Sequence, residues 1–377
     1  MHRRSGALVA VIVVSLALGI TPQASAGTVP PHTPPTDIQV WTVNIRHLGN
    51  TWRGFVDRMV ANDFAPDIVL VQEVTSTELG TFMIDLKANL GTHYSSDLST
   101  GDNAVIWNTQ RFSKLGRAEW AQQSNGCGNG KTALAVNLRD NDAGTVFLET
   151  RNVVAASVHF RTNMDDSCLN HTWFQANSNI ESAFPIRRMT ILGGDVNRKP
   201  DRHRVAGVET AASGLETDPN CWYRRASAAH LNDSLLDGAC GTAAYDRYYD
   251  TVWTYPGSGG GTNPTATSFC EQFTFNNAVD LLGSGPDTND VSNSCTDVAP
   301  IDDALDKSRI DYVWISYERA DGSAWTPPAT AVAPHIAFAS ADFGLSLDVG
   351  DLAESYSDHR AVQTLLTWPA VMPSDAA

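Results

Sequence analysis

Asp195 and Asn197 stand two apart in the stretch ILGGDVNRKP, residues 191–200, where two apolar residues run into a Gly-Gly pair and then a polar exit. Residues two apart on an extended chain face the same way, so a carboxylate and a carboxamide share one face at a strand end, with glycines leaving room beside them. That pairing suits the handling of a metal ion or a phosphate. A solvated strand exit has the same look, and other stretches have to decide between the two. Asn44 closes DIQVWTVN, Glu73 follows the run DIVLVQ, His159 lies at the end of VVAASVHF, and Asp311 interrupts the apolar RIDYVWI. Asp358 and His359 stand in SDHR, directly before AVQTLLTW. Carboxylates and amide oxygens are the hard donors that magnesium or calcium takes. An imidazole oriented by a carboxylate moves protons near neutral pH. A charge inside an apolar run, such as Asp311, usually has a partner. Arg198, directly after Asn197, is a candidate phosphate contact.

Rigid elements must hold these groups. Residues 37–44 are β-branched and apolar enough for a strand, and Trp52, Phe55, Val56, Met59 and Val60 follow at helical spacing. The continuous apolar run at 67–71 predicts a strand covered on both faces, and Leu79, Phe82, Met83 and Leu86 mark a second helix. Residues 103–107, 132–138 and 145–149 read as further strands without helices between them, and 153–160 as another. A helix over 170–184 carries Trp173, Ile180 and Phe184 on one face, and a strand over 188–195 leads to Asp195. Residues 201–301 differ: they hold four of the six cysteines, a Gly-rich tract at 257–261 and one strand-like piece at 250–255. This reads as a disulfide-stapled insertion, because strands resume at 309–315 and 361–368. Apolar strands that alternate with helices or hairpins and close on polar residues predict an α/β sandwich with its site along one edge.

The N-terminus belongs to something else. His2, Arg3 and Arg4 precede an apolar run over 7–20, and Ala24-Ser25-Ala26 forms a small-x-small cleavage site, so residues 1–26 are expected to be a secretory signal. A Pro-rich leader at 27–36 follows, and 369–377 form a C-terminal tail. The apolar run falls short of the roughly 20 residues a membrane span needs, so a secreted monomer without stable membrane insertion is expected, and an exported chain is the wrong place for a free thiol. The six cysteines are accordingly expected in disulfides, paired in sequence as 127–168, 221–240 and 270–295 because short loops close most easily. The formal charge of −16 becomes −18 without Arg3 and Arg4. An acidic chain has no general field for polyanions, which argues against a simple nucleic-acid-binding module. A phosphate substrate would have to be met by local Arg and Lys or by a bound cation.

Taken in order over residues 37–368, WTVN, VQE, SVHF, GDVN, RIDYVW and SDHR resemble the endonuclease/exonuclease/phosphatase superfamily, the fold of deoxyribonuclease I. The form GDVNRKP is similar to the nuclease subunit of cytolethal distending toxins. The resemblance implies one catalytic domain over 37–368, an α/β protein built as a four-layer α/β/β/α sandwich of two packed mixed β-sheets. It implies a secreted, divalent-metal-dependent phosphodiester hydrolase, a DNA endonuclease in the first instance, with lipid or inositol phosphate hydrolysis as the alternative and a catalytically dead binding protein as the third reading. Its ion would be magnesium, with calcium or manganese as substitutes, held by Asn44, Glu73 and Asp358. Asp195 would help activate water, Asn197 and His159 would hold the scissile phosphate, and Asp311 with His359 would serve proton transfer or transition-state stabilisation. Relatives pair the first histidine with a further carboxylate, for which Glu78, Asp97 and Asp102 are all open. The interval between Asp195 and Asp311 is longer than in compact nucleases, so the loops that set substrate choice do not carry over.

Overall fold

The computed structural model describes residues 37–45, 52–61, 65–122, 131–141, 152–162, 164–187, 189–197, 202–205, 208–211, 249–250, 275–276, 307–308, 311–317, 336–341 and 361–367. The chain begins with β1 (Asp37–Asn44), α1 (Trp52–Ala61), β2 (Ile68–Gln72) and α2 (Ser76–Leu90). Then come β3 (Tyr94–Leu98), β4 (Ala104–Asn108), β5 (Phe112–Ala121), β6 (Thr132–Asp140) and β7 (Asn152–His159). Helix α3 (Asp166–Ala183) leads to β8 (Met189–Asp195) and a hairpin of β9 (Arg202–Val205) with β10 (Val208–Ala211). The remaining strands are β11 (Tyr249–Asp250), β12 (Phe275–Asn276), β13 (Lys307–Ser308), β14 (Asp311–Tyr317), β15 (Ile336–Ala341) and β16 (Val362–Thr367).

Two six-stranded sheets carry the fold, in the orders β15-β16-β1-β2-β4-β3 and β11-β14-β8-β7-β6-β5. In each, one central pair is parallel, β1 with β2 and β7 with β8, and the other pairings are antiparallel. A parallel neighbour requires a crossover, and α1 and α3 lie in the two crossovers. The sheets bury Ile38, Leu70, Val105, Leu134, Val136, Ile191 and Val313 between them. On the outer face of the first sheet, Trp41, Val43 and Val69 pack with Phe55, Met59, Phe82 and Leu86 of the two helices. On the outer face of the second, Trp173, Ile180 and Phe184 meet Val154, Leu192 and Trp314. The result is the mixed-sheet α/β/β/α sandwich that the resemblance implied.

Some expectations shift. Val60, counted on the apolar face of α1, is exposed. Strands β3, β5 and β15 carry no clear signal in the sequence, so the expected run of hairpins lacked two of its members. The expected strand at 145–149 and most of 250–255 lie outside the described residues. Cys168 is disulfide-bonded; the other five cysteines lie outside the described residues, and so does the pairing. No described helix is long and apolar enough to cross a membrane.

Candidate active site

Both parallel pairs end at the same place. Asn44 is in register with Gln72, the residue before Glu73, and His159 is in register with Asp195. Asp311 opens β14 opposite Asp195. The carboxyl ends of parallel strands, where the chain turns away into a crossover, are the usual position for a site in an α/β fold.

Local backbone geometry makes the approach possible. Glu73 and Asn197 both adopt φ near 54°, a left-handed conformation that Asn tolerates and Glu does not favour. The chain therefore breaks sharply from each strand at a site residue. Gly194, with φ 148°, has no space for a side chain: a Cβ would lie 1.8 Å from the Val158 carbonyl oxygen. Only glycine lets β8 run this close to β7 one residue before Asp195.

The side chains then meet across the sheets. Asn44 Nδ2 donates to Glu73 Oε1 at 3.2 Å and to Asp195 Oδ2 at 3.0 Å. His159 Nε2 lies 3.5 Å from Glu73 Oε1 and 3.6 Å from Asp195 Oδ2. Asp195 Oδ1 accepts the Asn197 backbone N–H at 2.7 Å, and Asn197 Nδ2 donates to the Phe160 carbonyl at 2.9 Å. Phe160 is itself fixed by edge-to-face packing on Trp173, which packs on Trp314, which in turn stacks on Tyr312. Asn197 is thus tied to a rigid carbonyl as well as to Asp195.

The carboxylate behind His159 is Asp102. Its Oδ2 lies 3.0 Å from His159 Nδ1, whereas Glu78 closes the capping box of α2 with Thr75 and Asp97 pairs with Lys114. Asp102 sits in the turn between β3 and β4, which Ser99 pins through bonds to the Gly101 and Asn103 N–H groups and whose Asp102 carbonyl accepts from Val74 N. Lys131, just before β6, is a site residue the sequence reading missed. Its Nζ is 3.0 Å from Asp102 Oδ2 and 3.1 Å from His159 Nδ1. Burial raises the Asp102 carboxyl, but the hydrogen bond and charge of His159 and the charge of Lys131 outweigh it and hold the group at about 2. The signal that could have found both residues was position: each directly precedes a recognised strand near the level of His159.

Among the described residues, Glu73, His159 and Asp195 form a group whose ligand atoms all lie within 4.8 Å of one another. Two carboxylates with the Asn44 amide nearby make a donor set suited to a hard divalent cation, so the residues present fit such an ion. Asp311 is buried at the start of β14. Arg198, Asp358 and His359 lie outside the described residues.

No protein-family model matches the chain, and no curated protein matches it. Solved structures do. An endonuclease/exonuclease/phosphatase from Bacteroides vulgatus superposes with a TM-score of 0.51 at 13% identity, covering 89% of this chain and all of that one, 100%. D. rerio TDP2, complexed with a single-strand DNA product, superposes with a TM-score of 0.50 at 13% identity, over 87% of this chain and 98% of that one. The chain has the endonuclease/exonuclease/phosphatase fold.

Proposed function

We propose that the protein is an exported, divalent-metal-dependent phosphodiester hydrolase that acts as a DNA endonuclease. The observation that carries this reading is the convergence of Glu73 and Asp195 on His159, with Asn44 bridging the two carboxylates. Glu73, Asp195 and Asn44 would hold the ion, which supplies positive charge to a phosphate that an acidic protein would otherwise repel. Asp102 and Lys131 fix the Nδ1 side of the imidazole, so that Nε2 is presented toward the carboxylates and whatever binds among them. Asn197, held by Asp195 and Phe160, presents its carboxamide at the same rim. Preorganised polar groups of this kind stabilise charge that develops during hydrolysis without having to reorganise.

Two further observations support the substrate and the compartment. The D. rerio TDP2 structure of the same fold holds a single-strand DNA product, which favours nucleic acid. The charged, apolar and small-residue succession over residues 1–26 favours export.

The test is incubation of the purified protein with supercoiled plasmid and Mg2+, with and without a chelator, beside vesicles of sphingomyelin or phosphoinositide. Nicking that the chelator abolishes is the expected result. Turnover of lipid with intact plasmid would transfer the chemistry to lipid phosphates, and no turnover of either would leave a binding scaffold.

A further inference from the structure

Directly beneath the site, the apolar interior between the sheets gives way to a buried polar layer. Gln72 Nε2 donates to Ser157 Oγ at 2.9 Å and to Thr42 Oγ1 at 3.2 Å, which joins a strand of the first sheet to a strand of the second. The Ser157 hydroxyl is shared between the Val71 carbonyl, at 3.0 Å, and Asn103 Oδ1, at 3.1 Å. Asn103 Nδ2 in turn reaches the Thr132 carbonyl at 2.7 Å and Asp102 Oδ1 at 3.3 Å. Thr42, Gln72, Asn103 and Ser157 are all fully buried, at 0% exposure. Burying polar side chains costs stability unless every partner is present, so such a chain through an otherwise apolar interior needs a reason.

Its placement supplies one. Each member is one or two residues from a site residue: Thr42 from Asn44, Gln72 from Glu73, Asn103 from Asp102 and Ser157 from His159. The layer also coincides with close contact between the sheets. Gly193, in register with Ser157, has Leu70 Cδ1 2.7 Å and Thr42 Cβ 3.4 Å from where a Cβ would stand. The two halves of the site belong to different sheets, and two apolar faces packed on each other do not fix their mutual register as sharply as directed bonds do.

We propose that the Thr42–Gln72–Ser157–Asn103 layer is a positioning device that sets the separation and register of the two half-sites. Asn44 and Glu73 on one sheet keep their 3.0–3.5 Å spacing to Asp195 and His159 on the other because Gln72 and Ser157 bolt the strands together one step below. None of the four touches the reacting groups in this role. The inference rests on the metal-dependent reading of the site.

The experiment compares Gln72→Met, which keeps length and removes the amide, with Leu134→Ala, a cavity in the apolar part of the same inter-sheet core. Mn2+ affinity is measured by calorimetry, and kcat and KM on a small aryl phosphodiester, alongside the unfolding midpoint. Gln72→Met is expected to weaken Mn2+ binding and lower kcat about tenfold or more, the range typical of groups that support ligands, with KM within about twofold. Leu134→Ala is expected to keep both at a similar loss of midpoint. Ser157→Ala, a smaller change, takes the place of Gln72→Met should that variant not fold. Equal behaviour of the layer variant and the cavity control would overturn the inference. A parent that binds Mn2+ but cleaves no phosphodiester removes the proposed activity while the ion affinities still decide the role of the layer. A parent that does neither overturns both.

Discussion

The two ends of the sandwich use the same strands for opposite purposes. Strand β2 is preceded by Asp67 and followed by Glu73, and β6 is preceded by Lys131 and ends on Asp140. At the Asp67 end, Arg111 bonds Asp67 at 2.9 Å through Nη1 and grips both oxygens of Asp140 through Nε and Nη2. Asp67 also accepts the Gln39 N–H at 2.9 Å. All three side chains are 3% exposed or less. The nearby Tyr94 phenol is pushed up, by burial first and by the Asp67 charge second, and stays neutral. At the Glu73 end, three carboxylates, Glu73, Asp102 and Asp195, meet one ammonium and one imidazole among the described residues. Glu73 is 21% and Lys131 39% exposed. A guanidinium closed on two acids finishes an edge of the core; negative charge gathered at an open rim is an arrangement for receiving a cation.

Variants at each end should break different properties. Arg111→Met leaves Asp67 and Asp140 buried without their counter-ion, and the loss expected from such a broken pair is about 3–5 kcal/mol. Denaturant unfolding measures it, and the turnover of the folded fraction should stay that of the parent. Glu73→Gln has the converse signature. The amide oxygen still accepts from Asn44, one negative charge goes, and plasmid nicking should slow by about a hundredfold or more while the unfolding midpoint holds or rises.

Asp102→Asn lies between these extremes. A carboxyl held at about 2 against an ordinary 3.8 contributes stability that is complete above pH 4 and disappears as pH falls through 2, amounting to about 2 kcal/mol at neutral pH. The variant should be less stable by that amount at pH 7 and level with the parent near pH 2, in a pH series of unfolding midpoints. Nicking should slow about tenfold, because His159 loses its orienting partner. The smallest effect sharpens the contrast most finely. Thr75 is two residues from Glu73 yet only caps α2, so Thr75→Ala should cost about 1 kcal/mol and leave nicking rates unchanged.

How much of this was legible follows from where each element sits. Strands β1, β2, β7 and β8 lie inside the sheets, so burial forces continuous apolar runs, and their polar ends stand out. Strands β3, β5 and β15 are all edge strands. YSSDL and FSKLGRAEWA pair on one side only and face solvent, so the pattern that marks a strand is diluted. Asn44, Glu73, His159 and Asp195 could be read because each closes an apolar run. Asp102 was legible only as one of three open carboxylates and Lys131 only by its place before a strand, since their roles depend on a turn and a strand start that come together only when β4 and β6 face each other across the two sheets. The buried layer of Thr42, Gln72, Asn103 and Ser157 was equally silent: single polar residues in strands carry no sign of which partner sheet they will meet.

The central claim is that the Glu73 end receives a divalent cation and the Arg111 end does not. Thermal unfolding of the parent, Glu73→Gln and Arg111→Met across a Mg2+ titration tests it most directly, because a ligand that binds only the folded state raises the midpoint as its concentration passes the dissociation constant. The midpoint should climb with Mg2+ in the parent and, from a lower start, in Arg111→Met, and stay flat in Glu73→Gln. An equal climb in all three, or none in the parent, would contradict it.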